Sequence, residues 1–262
     1  MDYFAANEKL EAAYREWYEE LKEKQPQLLG DDYSNPYYCS IPADWYEAKN
    51  RVLIVGEEGH GDWGCGKWGE GELKYGPEEI DKIQTYNWSY LSSNLYSNPK
   101  EESIKFNRLY PGACWKEYNS SRFWTRARNI CREDVVCAWT NADKIHRKKS
   151  SSPSCALTDS QRKKLHSLDH KILQSEIGIL DPTHVFFFGW RRKSFETDLP
   201  DVFEEFYRKD SNGHDIYSDH VAVFRLNSRW YIFTKHPGAR NLPGGYRAYE
   251  QSVLEAFSQT LA

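Results

Sequence analysis

Two adjacent carboxylates, Glu57 and Glu58, directly follow the apolar run RVLIVG. An asparagine, Asn141, ends a second such run, VVCAWTN, and a histidine, His236, ends a third, WYIFTKH. A carboxylate set opposite a histidine suits hydrolysis through a cationic transition state. The carboxylate orients water and favours positive charge, and the histidine favours negative charge on the departing group. His60 and Asp62, in the glycine-rich stretch EEGHGDWGCGKWGEG, are further candidates for this chemistry. No serine or cysteine sits in a nucleophile elbow and no Walker lysine is present. Covalent acyl transfer and nucleotide hydrolysis therefore fit poorly.

The elements that position these residues are legible from periodicity. RVLIVG, VVCAWTN and THVFFFGW read as strands buried on both faces, the last ending at Gly189. HVAVFRL and WYIFTKH read as a hairpin or two neighbouring strands. Helical patterning covers 4–24, where Leu10, Tyr14, Trp17 and Leu21 share a face, and Gln25-Pro26 ends it. It returns over about 82–96, 121–131 and 158–180, and in the closing AYEQSVLEAFSQTL. Strands alternating with helices predict an α/β protein, a three-layer α/β/α sandwich with a central, mostly parallel sheet. With no repeat and no clean linker, the expectation is one domain over 1–262 with an N-terminal helical extension about 1–30. Ligands of such sheets bind beyond the carboxyl ends of the strands. Gly56, Glu57, Glu58, Asn141, Gly189 and His236 all fall there.

Composition narrows the class. The formal net charge is −4, so the chain as a whole is not a basic nucleic-acid binder. Local basic clusters at Arg126 and Arg128, 146–149, 162–164 and 191–193 can still steer a polyanion, although each alone reads as a solvated face. Ten Trp and eighteen Tyr can fill a core or stack on bases. Six cysteines without C-x-x-C or zinc spacing predict free thiols in a reducing cytoplasm, with no cofactor and no iron–sulfur cluster. No apolar run reaches membrane length.

The order LIVGEEG, WTNADK, VFFFGW, FTKHPGAR resembles the uracil-DNA glycosylase superfamily, from about residue 51 to the C-terminus. That family has a Gly-[Gln/Glu]-x loop, a strand ending at a base-reading Asn, a later strand ending in Gly and a last strand ending in a His-Pro-Ser-type sequence. The resemblance implies a glycosylase-like fold and a monofunctional DNA glycosylase, with DNA as partner and no obligate protein partner, acting as a monomer. It implies that Glu58 or Glu57 positions water, that Asn141 reads the base and that His236 bonds O2 of a pyrimidine. Pro237 and Gly238 would shape a tight loop that approaches a phosphate. Gly189 and Lys144 would lie along the DNA, and Arg240 would fill the gap left by a flipped nucleotide. Trp63 and Trp68 are candidates to stack on the flipped base. No lysine is evidently placed as a Schiff-base nucleophile, although Lys144 and Lys235 lie near the relevant loops.

The bland alternatives are a satisfied histidine at a strand end, a turn asparagine, a solvated glutamate and a solvated Arg240. The two glutamates stay open, because a one-residue shift in loop path exchanges them. The uracil-specific branch carries Pro-Tyr after its carboxylate, and that tyrosine blocks C5 substituents. Here Gly59-His60 stand instead, with Gly61 and Gly64 nearby, so the pocket is expected to admit a 5-substituted pyrimidine. A hypermodified phage cytosine is one candidate, in anti-phage defence or repair. The alternatives are a uracil-excising repair glycosylase and a non-catalytic sensor of modified DNA on the same fold.

Overall fold

The computed structural model describes residues 2–30, 33–56, 78–95, 122–132, 134–146, 158–189, 216–218, 221–242 and 244–261. Glu57, Glu58, His60, Asp62, Trp63 and Trp68 lie outside the described residues.

Six strands form one sheet: β1 (Asn50–Gly56), β2 (Val135–Asn141), β3 (His184–Phe188), β4 (Ile216–Ser218), β5 (Val221–Leu226) and β6 (Arg229–Thr234). Their order is β2-β1-β3-β6-β5-β4. The first four are mutually parallel, and β5 and β4 add to the edge antiparallel. The hairpin alternative holds for β5 and β6, which close on Asn227 and Ser228 with φ of 49° and 68°. Two left-handed central residues match the right-handed twist of paired strands. The short β4 had no sequence signal.

Five α-helices are present among the described residues: α1 (Tyr3–Lys24), α2 (Ile80–Leu95), α3 (Arg122–Ile130), α4 (Asp159–Leu180) and α5 (Gly245–Ser258). Alternation along β1 assigns them to faces. Leu53 and Val55 join one apolar cluster with α1, α4 and the start of α2, and Val52 and Ile54 join another with the rest of α2, α3 and α5. Helices therefore cover both faces of a mostly parallel sheet. The segment read as an N-terminal extension belongs to the packed layer: α1 buries Leu10, Tyr14, Trp17 and Leu21 in the same cluster as α4. Asp2 caps α1 by accepting from Ala5 N at 2.8 Å. No described helix is long and apolar enough to cross a membrane.

One expectation fails. Cys131, just past α3, and Cys137, in β2, are joined in a disulfide. Cys39 is a buried free thiol.

The connection from β1 turns toward β2, whereas that from β3 turns toward β6. In parallel sheets a ligand crevice lies at such a switch, outside the carboxyl ends.

His184 opens β3, is buried, and donates from Nε2 toward Thr260 O at 3.3 Å. Burial pushes its imidazolium down to about 4 from 6.5, so the folded state keeps the ring neutral. On acidification the unfolded chain takes up this proton first. Stability from His184 is complete above about pH 6.5 and is lost as pH falls toward 4, by on the order of 3 kcal/mol. Denaturant titrations across that window should show a steeper pH dependence for the wild type than for His184→Gln. Parallel curves would contradict the assignment.

Candidate active site at the carboxyl edge of the sheet

The four parallel strands finish level. Gly56 pairs with Asn141, Val55 with Phe187, and Phe188 with Thr234. Gly56, Asn141, the buried Gly189 and the turn beginning at His236 thus come to one edge.

Asn141 is 1% exposed. Its Oδ1 accepts from the Trp139 indole at 3.1 Å. Trp139 and Asn141 share a face because strand side chains repeat every two residues. An indole N–H only donates, so the atom facing it is the amide oxygen. Nδ2 is then a donor, and it is buried with no hydrogen-bond partner among the described residues. Leaving such a donor unmatched costs about 1–3 kcal/mol, and this one lies at the carboxyl edge of the parallel strands, where ligands of such sheets bind. Gly56 makes room for it. A Cβ there would lie 2.4 Å from Asn141 Oδ1 and 3.2 Å from Trp139 Nε1. Below it, Ala142 N donates to Gly56 O at 2.9 Å and closes the end of the β1–β2 ladder.

Lys144 does not lie on the expected DNA-facing surface but is 1% exposed, with Nζ 2.6 Å from Glu176 Oε1. Thr140 donates to Glu176 Oε2 at 2.9 Å, and Tyr14 donates to Oε1 at 2.6 Å. Burial, and then the Glu176 charge, pushes the Tyr14 phenol well above its usual range, so it stays a donor. Lys144 thus binds the turn after Asn141 to α4 from within.

The His236 turn is anchored from the other face. Arg126 of α3 is fully buried and donates from Nη1 to Thr234 Oγ1 at 2.9 Å and to Lys235 O at 2.7 Å. Its Nε donates to Glu250 of α5 at 2.9 Å. Lys235 N donates to Tyr249 OH at 2.6 Å. Beyond these anchors Pro237 is buried, and Ala239 N donates to His236 O at 2.8 Å, closing a turn. Proline at the second position pre-sets that turn. Gly238 N donates to His236 Nδ1 at 3.1 Å. A backbone N–H cannot accept, so Nδ1 is the unprotonated nitrogen and the neutral ring carries its proton on Nε2. A Cβ on Gly238 would stand 3.1 Å from that Nδ1.

Sequence reasoning missed Phe123. This half-buried ring of α3 lies with its centroid 6.4 Å from His236, 5.7 Å from Trp139 and 5.0 Å from Phe188. It spans the ends of β2, β3 and β6, where an aromatic face can receive a planar ligand. Helical spacing alone does not tell which of Phe123 and Trp124 faces the strand ends. Arg240 is exposed beyond the His236 turn, and Arg122 covers the Tyr246 ring at 4.5 Å. A separate open groove of about 660 Å³ runs between α3 and α5, past Thr125, Arg132 and Leu254, and none of its walls is a strand end. Among the described residues no group of three or more His, Cys, Asp or Glu could hold a metal ion.

No protein-family model matches the chain, and no curated protein matches it.

The Gly56–Asn141 contact is testable without a ligand. Gly56→Ala should cost about 1–3 kcal/mol of unfolding free energy, the range for forcing an extra carbon into a packed site. In an Asn141→Ala background most of that cost should vanish, as chemical denaturation of the four proteins would show. An equal cost in both backgrounds would mean that the two residues are not coupled.

Proposed function

We propose that this chain is a monofunctional DNA glycosylase of the uracil-DNA glycosylase type, acting on a flipped, 5-substituted pyrimidine. The observation that carries the reading is the buried, unmatched Nδ2 of Asn141 at the same sheet edge as the Nε2–H of His236. Two fixed donors suit the edge of a pyrimidine: one for base recognition and one for O2.

In this reading Glu57 or Glu58 orients a water below C1′. The C1′–N1 bond breaks with its electron pair passing to the base, and His236 donates to O2 as negative charge develops there. Water oxygen bonds to C1′, one of its protons passes to the carboxylate and on to solvent, and the departing base anion takes up a proton from solvent, leaving an abasic site and a free base. Phe123 stacks on the base, and Arg240 fills the vacated duplex position. Flipping costs a few kcal/mol, which these contacts offset. The engagement of Lys144 with Glu176 supports hydrolysis by water over attack by that lysine. The Lys235 amine is 3.3 Å from Asn241 O, in a turn of the same loop. The protein would act as a monomer on DNA, in anti-phage defence or repair.

The test is mass spectrometry of bases released from DNAs that carry uracil, thymine, cytosine, 5-hydroxymethylcytosine or its glucosylated form. Release of a 5-substituted base is expected, and His236→Ala should slow it roughly 10²–10³-fold, as loss of a transition-state donor does. Release of uracil alone would replace the 5-substituted substrate by a repair role. No release, with tight binding to one DNA, would replace hydrolysis by a sensor function.

A further inference from the structure

We infer that Trp139 is a positioning residue that fixes which end of the Asn141 carboxamide a ligand meets, and so sets discrimination between base edges. This rests on the reading of Asn141 as the base-contacting residue.

A free carboxamide presents a donor or an acceptor by rotating half a turn. Here rotation would put the Nδ2 hydrogens against the indole N–H, two donors face to face. The 3.1 Å bond to Oδ1 forbids it. The indole itself is held. Its ring packs against Tyr37 at 4.6 Å and Trp124 at 4.9 Å, and the Tyr37 hydroxyl donates to Trp139 O at 3.1 Å. Trp139 is 6% exposed, so it touches a ligand through Asn141 rather than by itself. The missing Cβ at Gly56 leaves the amide and the indole in contact on the β1 side. The ligand atom that meets Nδ2 must therefore be a hydrogen-bond acceptor.

5-Hydroxymethyluracil and 5-hydroxymethylcytosine are suitable probes. They share O2 and the 5-substituent, but exchange acceptor for donor at positions 3 and 4. A pinned amide must treat them differently, whichever it prefers, and a rotating amide accommodates both.

Trp139→Phe keeps a ring in the packing and removes the N–H, together with part of the indole's volume. Base release from duplexes carrying each pyrimidine would be compared for wild type and variant. The expected result is a preference ratio that falls about tenfold toward unity in the variant, the scale of one good base contact. Equal slowing on both DNAs, with the ratio kept, would overturn the inference and leave Trp139 a packing residue. If neither base is released, the glycosylase reading fails, and the same ratio is taken from the dissociation constants of the two duplexes. The pin itself is read in the free protein. Hydrogen exchange of the Trp139 indole should accelerate tenfold or more in Asn141→Leu, and an unchanged rate would also overturn it.

Discussion

A buried charge without a partner costs several kcal/mol, and this chain buries two cations beneath the two turns that matter most. Lys144 lies under the turn after Asn141 and is matched by Glu176. Arg126 lies under the end of β6 and is matched by Glu250. Removing one member of such a pair typically costs about 3–5 kcal/mol, because the other is left uncompensated. Neither turn can drift without exposing that penalty. The anchors come from opposite faces, α4 on one side and α3 with α5 on the other, so the sheet edge is clamped between its two helical layers.

Rigidity of this kind explains how an unmatched donor persists. Asn141 cannot swing to satisfy Nδ2, because Oδ1 is held by Trp139 and the strand is held through its register with β1. The His236 ring is fixed in the same manner, with Nδ1 bound to the turn's own Gly238 N–H, which leaves the ring proton on Nε2. In the proposed reaction, groups fixed in this way need no reorganisation as charge develops, which is where electrostatic stabilisation is most effective. Glycines at 56 and 238 are part of the device, since a Cβ at either would crowd the polar atom it serves.

The strands were readable because parallel strands buried on both faces leave unbroken apolar runs, and RVLIVG and VFFFGW are such runs. The positions of Asn141 and His236 followed from where those runs stop. Lys144 was misplaced because a lysine in a polar turn looks solvated until its partner is known, and Glu176 stands thirty-two residues away on α4. Phe123 went unseen because FW in a short helix offers two aromatic faces and no local rule chooses between them. The thiol pair was missed because a spacing of six residues carries no motif, and only the fold brings Cys131 within 6.0 Å of Cys137 between Cα atoms. The helix α1 looked like an appendage because its apolar stripe names no partner, and only the fold supplies α4.

In the proposed function a pyrimidine docks on the Asn141 amide at the carboxyl edge of the sheet. The most direct measurement follows the side-chain resonances of Asn141 and Trp139 by NMR while a duplex is added that carries one 5-hydroxymethylpyrimidine with a 2′-fluoro group to slow cleavage. Docking there predicts saturable shifts of the Asn141 amide, the Trp139 indole and the Gly238 N–H together. Shifts confined to the α3–α5 groove around Arg132 and Leu254, with Asn141 unmoved, would contradict it.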